Sequence, residues 1–134
     1  MKHIGLLGGS FDPPHHGHLY ISLEAKKILK LEEIWWLVTP QNPQKILKPT
    51  TYKERVLNCQ KITKNHPILI KEIEKKINST YTHYTLEYLK HHYSDIKFYW
   101  LMGADNLINF HCWQRWKQIF NQISIVIFKR YGYN

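Results

Sequence analysis

Five short apolar runs alternate along the chain with segments whose apolar residues recur at helical spacing. The runs lie at residues 4–7, 34–38, 68–70, 98–102 and 124–128. Their apolar residues are consecutive, as in IWWLV and SIVIF, which is typical of strands covered on both faces. The helical segments lie at residues 17–30, 52–64, 83–92 and 113–120. This alternation predicts an α/β fold, a Rossmann-like doubly wound parallel sheet of about five strands with helices on both faces.

Two threonines support the predicted helix starts. Thr51 and Glu54 have the spacing of a capping box, and Thr82 stands where an N-cap hydroxyl would accept hydrogen bonds from the following backbone N–H groups. No linker or internal repeat interrupts the 134 residues. We therefore expect a single domain over residues 1–134.

Composition excludes several classes of protein. A hydrophobic content of 43% with 14% aromatic residues predicts a folded chain rather than a disordered one. No apolar run reaches the roughly 18 residues of a membrane helix, so we expect no membrane partner and a cytoplasmic location. Cys59 and Cys112 lie outside any paired spacing, which favours packing thiols over a disulfide framework or a zinc ribbon.

The chain is strongly basic. Lys and Arg number 19 against 10 acidic residues, which gives a net charge of +9. Such a field attracts polyanions such as nucleotides, nucleic acid or anionic lipid. A composition rich in lysine, asparagine and isoleucine because of nucleotide bias in a genome explains the charge equally well. The net charge therefore indicates that a partner would be negatively charged, but it does not identify that partner.

The stretch GGSFDPPHHGHL follows the first predicted strand and is too rich in glycine and proline for a helix or a strand. Gly8 and Gly9 would let a phosphate approach the backbone, and Asp12-Pro13-Pro14 would stiffen the turn. In a doubly wound sheet, ligands bind beyond the carboxyl ends of the strands, near the point where the winding reverses. The unpaired N–H groups at the start of the next helix would favour an anion there.

Two histidines in this stretch, His15 and His18, have the spacing H-x-G-H. Two imidazoles can donate hydrogen bonds to one anionic centre. Nucleotidyl transfer needs this arrangement, because its nucleophile is already a phosphate oxygen and the protein only aligns the reactants and stabilises charge. Two alternatives are incidental histidines in a solvated loop and a metal site, although neighbouring cysteines and an H-E-x-x-H pattern are absent.

The same stretch resembles the signature GG[ST]FDP…HxGH of the nucleotidylyltransferase superfamily. Further pieces follow in the order typical of bacterial nicotinate mononucleotide adenylyltransferases: TPQNPQK, TYTHYT, LMGAD, a tryptophan eight residues later, and FKRYGY. The resemblance spans nearly the whole chain. It implies adenylyl transfer from ATP to nicotinate mononucleotide, giving deamido-NAD and pyrophosphate, with Mg²⁺ bound to the ATP and no protein-held metal.

The resemblance also implies roles for individual residues. His15 and His18 would bind the ATP phosphates and stabilise the transition state. Tyr81 and Thr82 would form the nicotinate pocket, where a helix N-terminus prefers a carboxylate over a carboxamide, and Trp113 would stack on the pyridine ring. The remaining residues that the resemblance places at the nucleotide or its phosphates are Gly8, Gly9, Ser10, Phe11, Asn42, Lys45, Gly103 and Asp105.

Several of these residues also have an ordinary structural explanation. Asp105 is placed to N-cap the next short helix, and Lys45 and Asn42 suit a solvated loop. Trp113 lies on an amphipathic helix, where a tryptophan is commonly part of the core. The other tryptophans, which we assign to packing, are Trp35, Trp36 and Trp116.

The chain departs from the family in one respect. Family members usually continue past the R-x-G-Y segment to an I-S-S-T-x-I-R-like motif that holds the ATP phosphates, whereas this sequence ends at Asn134. The strand SIVIF would then expose an apolar patch or recruit a second copy of the chain.

Three alternatives to the adenylyltransferase stay open. One is a catalytically impaired remnant that binds nucleotide without turnover, as the missing motif would allow. Pantetheine-phosphate adenylyltransferase shares the H-x-G-H turn, although the YT, GAD and tryptophan set speaks against it. A basic nucleic-acid-binding module would need its aromatic residues on one surface, whereas most of them fall in predicted strands and helices. We therefore expect small-molecule partners and no nucleic acid.

Overall fold

The sheet has five parallel strands in the order β3-β2-β1-β4-β5. A computed structural model describes residues 1–40, 51–77, 82–104 and 116–129. The strands are β1 (Lys2–Gly9), β2 (Glu33–Val38), β3 (Ile68–Lys71), β4 (Ile96–Gly103) and β5 (Ser124–Phe128). The chain winds from β1 to β3 in one direction and continues through β4 and β5 in the other. This order confirms the predicted doubly wound α/β fold and puts the reversal between β1 and β4.

Five helices are described: α1 (His16–Leu29), α2 (Tyr52–Ile62), α3 (Ile73–Ile77), α4 (Thr82–His92) and α5 (Trp116–Gln122). Among the described residues, none of them combines the length and apolar composition that crossing a membrane requires. The predicted helix at 113–120 is described only from Trp116 onward. Thr51 caps α2, since its Oγ1 accepts a hydrogen bond from Glu54 N at 3.2 Å. Thr82 is the first helical residue of α4 rather than a residue before it, one position from the prediction.

Both faces of the sheet are covered, which explains the consecutive apolar positions. Trp35 and Trp36 are neighbours in β2 and are 4% and 0% exposed, yet they belong to different core clusters. Side chains alternate between faces along a strand, so each tryptophan packs on one face. Cys59 of α2 joins the Trp36 cluster, and burial raises the pKa of its thiol to about 12. The predicted packing roles of Trp35, Trp36 and Cys59 are confirmed.

The edge strand β5 is the least covered part of the sheet. Ile127 is 41% exposed, and Ile125, Val126 and Phe128 are half-buried. The strand pairs only with β4 among the described strands. This exposure agrees with the patch expected for SIVIF.

A buried relay of hydrogen bonds anchors the first turn of α1 to β2. Trp36 Nε1 donates to Ser22 Oγ at 2.8 Å, and Ser22 Oγ donates to the carbonyl oxygen of His18 at 2.8 Å. Ser22 and Trp36 are both fully buried. The position of His18 is therefore set by a central strand and not by its own helix alone.

Ser22→Ala should lower the free energy of unfolding by about 1–3 kcal/mol, because it leaves the buried Trp36 N–H without an acceptor. Urea denaturation measures this change. Ser124→Ala is the matched control, since Ser124 is exposed at the start of β5, and it should change stability by less than about 0.5 kcal/mol. Equal effects of the two substitutions would contradict the relay.

Helix α3 was not predicted, and it buries a carboxyl group. Glu74 is 5% exposed and its Oε2 has no hydrogen-bond partner among the described residues. Burial raises the pKa of Glu74 to about 7, against an opposing hydrogen bond from the Thr39 side chain. The group therefore titrates near neutrality in the folded protein and near its ordinary value in the unfolded chain.

Glu74→Gln should flatten the pH dependence of stability. Because folding raises the pKa of Glu74, its protonated form favours the native state below about pH 4.5 and this advantage disappears as pH rises through about 7. The wild-type free energy of unfolding should fall relative to the variant by about 3 kcal/mol between pH 5 and 8. Urea titrations at stepped pH measure the difference. Glu87→Gln, at an exposed position of α4, should keep the wild-type slope.

Candidate active site

The candidate site is the turn between β1 and α1, residues 10–15, which we call the β1–α1 turn. It leaves the carboxyl end of the central strand, where β1 pairs with β2 on one side and β4 on the other. The residue after β2 is hydrogen-bonded to the last residue of β1, since Thr39 N donates to the Gly9 carbonyl at 2.9 Å. The turn therefore lies at the reversal of the sheet, where doubly wound folds bind ligands.

Two residues of the motif are fixed by packing. A Cβ on Gly8 would lie 2.9 Å from Cη2 of Trp100, so the tryptophan requires a glycine there whatever the ligand. Phe11 has a φ of 51°, a left-handed conformation that costs a bulky residue of the order of 1–3 kcal/mol. Phe11 is 2% exposed, and the centroid of its ring lies 4.7 Å from that of Trp36 and 4.6 Å from that of His18. The ring of Phe11 is therefore part of the core.

His15 and His18 together cap the first turn of α1. His15 is the N-cap residue, and its Nδ1 accepts from Gly17 N at 3.0 Å. The Nδ1 of His18 in turn accepts from His15 N at 3.0 Å, which completes a capping box. Sequence reasoning missed this role because N-caps are usually Ser, Thr, Asp or Asn. The spacing of three residues between the two histidines was the available signal.

Capping decides which ring nitrogen is a donor. Because Nδ1 accepts a backbone hydrogen bond in both rings, each neutral imidazole holds its hydrogen on Nε2. The rings stack with centroids 3.9 Å apart and planes inclined by 28°. Two adjacent Nε2–H donors suit one anion with several oxygens, such as a phosphate.

The expectation of unpaired N–H groups at this helix start holds only in part. Gly17 N donates to His15 Nδ1, and His18 N donates to the His15 carbonyl at 3.0 Å. These two donors already have acceptors within the first turn, so they are not unpaired as expected. The first turn of α1 contains no acidic residue, and the positive end of the helix dipole therefore stays available to an anion.

The other predicted site residues are placed only in part. Ser10, Phe11 and His15 lie in the β1–α1 turn, between Gly8 and Gly9 at the end of β1 and His18 in the first turn of α1. Gly103 ends β4, and Thr82 begins α4. Five predicted site residues lie outside the described ranges and stay predictions: Asn42, Lys45, Tyr81, Asp105 and Trp113. Cys112 and the side chain of Trp116 lie outside them as well. Across the described ranges, no group of three or more His, Cys, Asp or Glu side chains could hold a metal ion.

A buried arginine that sequence reasoning missed also contacts the turn. Arg55 of α2 is 3% exposed and donates from Nη1 to the carbonyl of Ser10 at 2.8 Å. It also donates to the carbonyls of Thr39 at 2.7 Å and Pro40 at 3.1 Å. The available signal was its place on the buried side of α2, four residues before Cys59.

Comparison with known proteins identifies the family. The cytidylyltransferase-like family matches residues 6–132. A relative from Cereibacter sphaeroides is 42% identical over 96% of this chain and 70% of its own length, and one from Pelagibacter ubique is 48% identical over 97% and 72%. Both are named probable nicotinate-nucleotide adenylyltransferase.

Solved structures agree on the fold. Nicotinic acid mononucleotide adenylyltransferase from Plasmodium falciparum, complexed with NaAD, superposes with a TM-score of 0.87 at 22% identity. The superposition covers 100% of this chain and 67% of that one. The order of the motifs and the capped histidine pair at the sheet reversal agree with the family match and with relatives that are more than 40% identical. The chain therefore belongs to the cytidylyltransferase-like family, in the branch of the nicotinate-nucleotide adenylyltransferases.

Proposed function

We propose that this protein binds ATP at the β1–α1 turn and transfers its adenylyl group to nicotinate mononucleotide. The products are deamido-NAD and pyrophosphate, and we expect the reaction in the cytoplasm. The observation that supports this most directly is the stacked pair His15 and His18, whose Nδ1 atoms are occupied by backbone donors. The pair lies at a helix start beyond the central strand, where a triphosphate would meet two fixed donors.

The reaction requires no nucleophile from the protein. A phosphate oxygen of the mononucleotide forms the new bond to the α-phosphorus of ATP, while the bond from that phosphorus to the bridging oxygen of the β-phosphate breaks. The electron pair of the broken bond leaves with pyrophosphate. Charge grows on the phosphate oxygens during this exchange, and donors that are already oriented stabilise it without rearrangement.

The histidines would meet this requirement through Nε2. Their rings cannot rotate without breaking the capping bonds at Nδ1, so the donors are oriented before ATP arrives. Mg²⁺ bound to ATP would supply further neutralisation of the triphosphate.

Pyrophosphate release from ATP should be faster with nicotinate mononucleotide than with nicotinamide mononucleotide or phosphopantetheine. The physical reason is that a helix N-terminus in the predicted pocket favours a carboxylate over a neutral amide. A coupled pyrophosphate assay gives kcat/KM for each acceptor. Equal or reversed preference for the two mononucleotides would contradict the proposed substrate, and ATP binding without any turnover would support the impaired remnant.

His18→Ala should reduce turnover by about 10²–10³-fold, the usual effect of removing one transition-state donor. It also removes the capping acceptor and should cost about 0.5–2 kcal/mol of stability. His18→Gln restores an acceptor at this capping-box position, so it should regain stability while turnover stays well below wild type.

Steady-state kinetics and urea denaturation of the two variants separate capping from chemistry. His16→Ala is the matched control, because His16 is an exposed neighbour outside the proposed machinery, and it should behave as wild type. Wild-type kinetics in His18→Ala would remove this histidine from the mechanism.

A further inference from the structure

Arg55 joins the ends of two strands through their backbone. Its three acceptors are the carbonyl oxygens of Ser10, after β1, and of Thr39 and Pro40, after β2. Nη1 donates to the Ser10 carbonyl at 2.8 Å and to the Thr39 carbonyl at 2.7 Å, so one nitrogen links the residues that follow the two strands. Its guanidinium also lies over the Tyr52 ring, 5.3 Å from the centroid. A buried guanidinium held by main-chain carbonyls fixes the orientation of the peptide groups that it touches.

The peptide group between Ser10 and Phe11 is the one that matters for the proposed site. The cis peptide bond among the described residues joins Asp12 to Pro13, so the Ser10–Phe11 peptide is trans and planar. In a trans peptide the N–H points away from the C=O of the same plane. With the Ser10 carbonyl directed at Arg55, the Phe11 N–H is directed to the opposite side.

The left-handed conformation of Phe11 is held from two sides, and Arg55 acts on one of them. Arg55 holds the peptide before Phe11, while the ring of Phe11 is held between His18 and Trp36. A residue with a φ of 51° keeps that conformation only when its surroundings impose it on both sides. Arg55 supplies one of these two constraints and the aromatic stack supplies the other.

We propose that Arg55 is a positioning residue, which aims the Phe11 N–H at the ATP phosphates by holding the Ser10 carbonyl against the end of β2. The inference rests on the proposed function, since it assumes that ATP binds at the β1–α1 turn. It assigns Arg55 no contact with substrate. Arg55 acts through one peptide group, and its loss would misdirect a backbone donor rather than remove a side-chain ligand.

The first experiment uses the unmodified protein. The backbone amide resonance of Phe11 is followed by ¹H–¹⁵N NMR while an ATP analogue with a methylene between the α- and β-phosphates is added. The proposal expects the Phe11 resonance to move among the most strongly perturbed amides. If the analogue binds and this resonance stays in place, the proposal is overturned, whatever the substitutions of Arg55 do to folding.

The second experiment compares Arg55→Lys with Lys53→Met. The lysine variant keeps the positive charge, but one ammonium group cannot reproduce the guanidinium fork that spans the carbonyls. We expect the KM for ATP to rise about tenfold or more, with the KM for nicotinate mononucleotide within about threefold of wild type. The ATP analogue should no longer shift the Phe11 amide. Lys53 is an exposed cation of the same helix, and its substitution should change neither constant.

The outcomes separate this inference from the proposed function. An Arg55→Lys protein that melts earlier but keeps wild-type KM values and the Phe11 shift has lost only packing, which would overturn the positioning role. A wild-type chain that neither binds the analogue nor releases pyrophosphate would overturn the proposed function itself. A wild-type chain that releases pyrophosphate, but whose Phe11 amide resonance does not shift when the analogue binds, would overturn the role of Arg55 and support the proposed function.

Discussion

The candidate site depends on two hydrogen bonds, from the backbone N–H groups of Gly17 and His15 to the Nδ1 atoms of His15 and His18. A helix start leaves N–H groups that must find acceptors, and here imidazoles provide them. The same bonds fix the tautomer and the orientation of both rings, because only Nε2 can then hold the hydrogen. The same two side chains therefore cap the helix and orient the two Nε2–H donors on which the proposed phosphate recognition rests.

The β1–α1 turn is held from both of its flanks by buried groups outside it. On one flank, Trp36 anchors the first turn of α1 through Ser22 and supports the ring of Phe11. On the other, Arg55 holds the Ser10 carbonyl against the end of β2. A turn held at both flanks can keep a strained residue and a fixed set of donors before any ligand arrives, which is the condition for electrostatic preorganisation.

The sequence was sufficient to predict the sheet. Strands covered on both faces have consecutive apolar residues, whereas the apolar residues of helices recur every three or four positions. Helix α3 was missed because five residues are too few to show that period. Arg55 was missed because arginine usually indicates a solvated helix face, and only the packed structure shows main-chain carbonyls around it. The histidines were identified for their chemistry, whereas their capping role depends on a backbone conformation that no motif specifies.

The structure also bears on the origin of the basic charge. Most described lysines are exposed, and exposed charges are screened beyond about 8 Å at physiological salt, so they act mainly on the rate at which anions arrive. Arg55 is different, because it is 3% exposed and its recorded acceptors are neutral carbonyls. Its charge is screened far less and lies beside the β1–α1 turn. Among the described residues, the cation beside the β1–α1 turn that salt screens least is therefore Arg55, whereas the net charge of the chain acts mainly on the rate of encounter with anions.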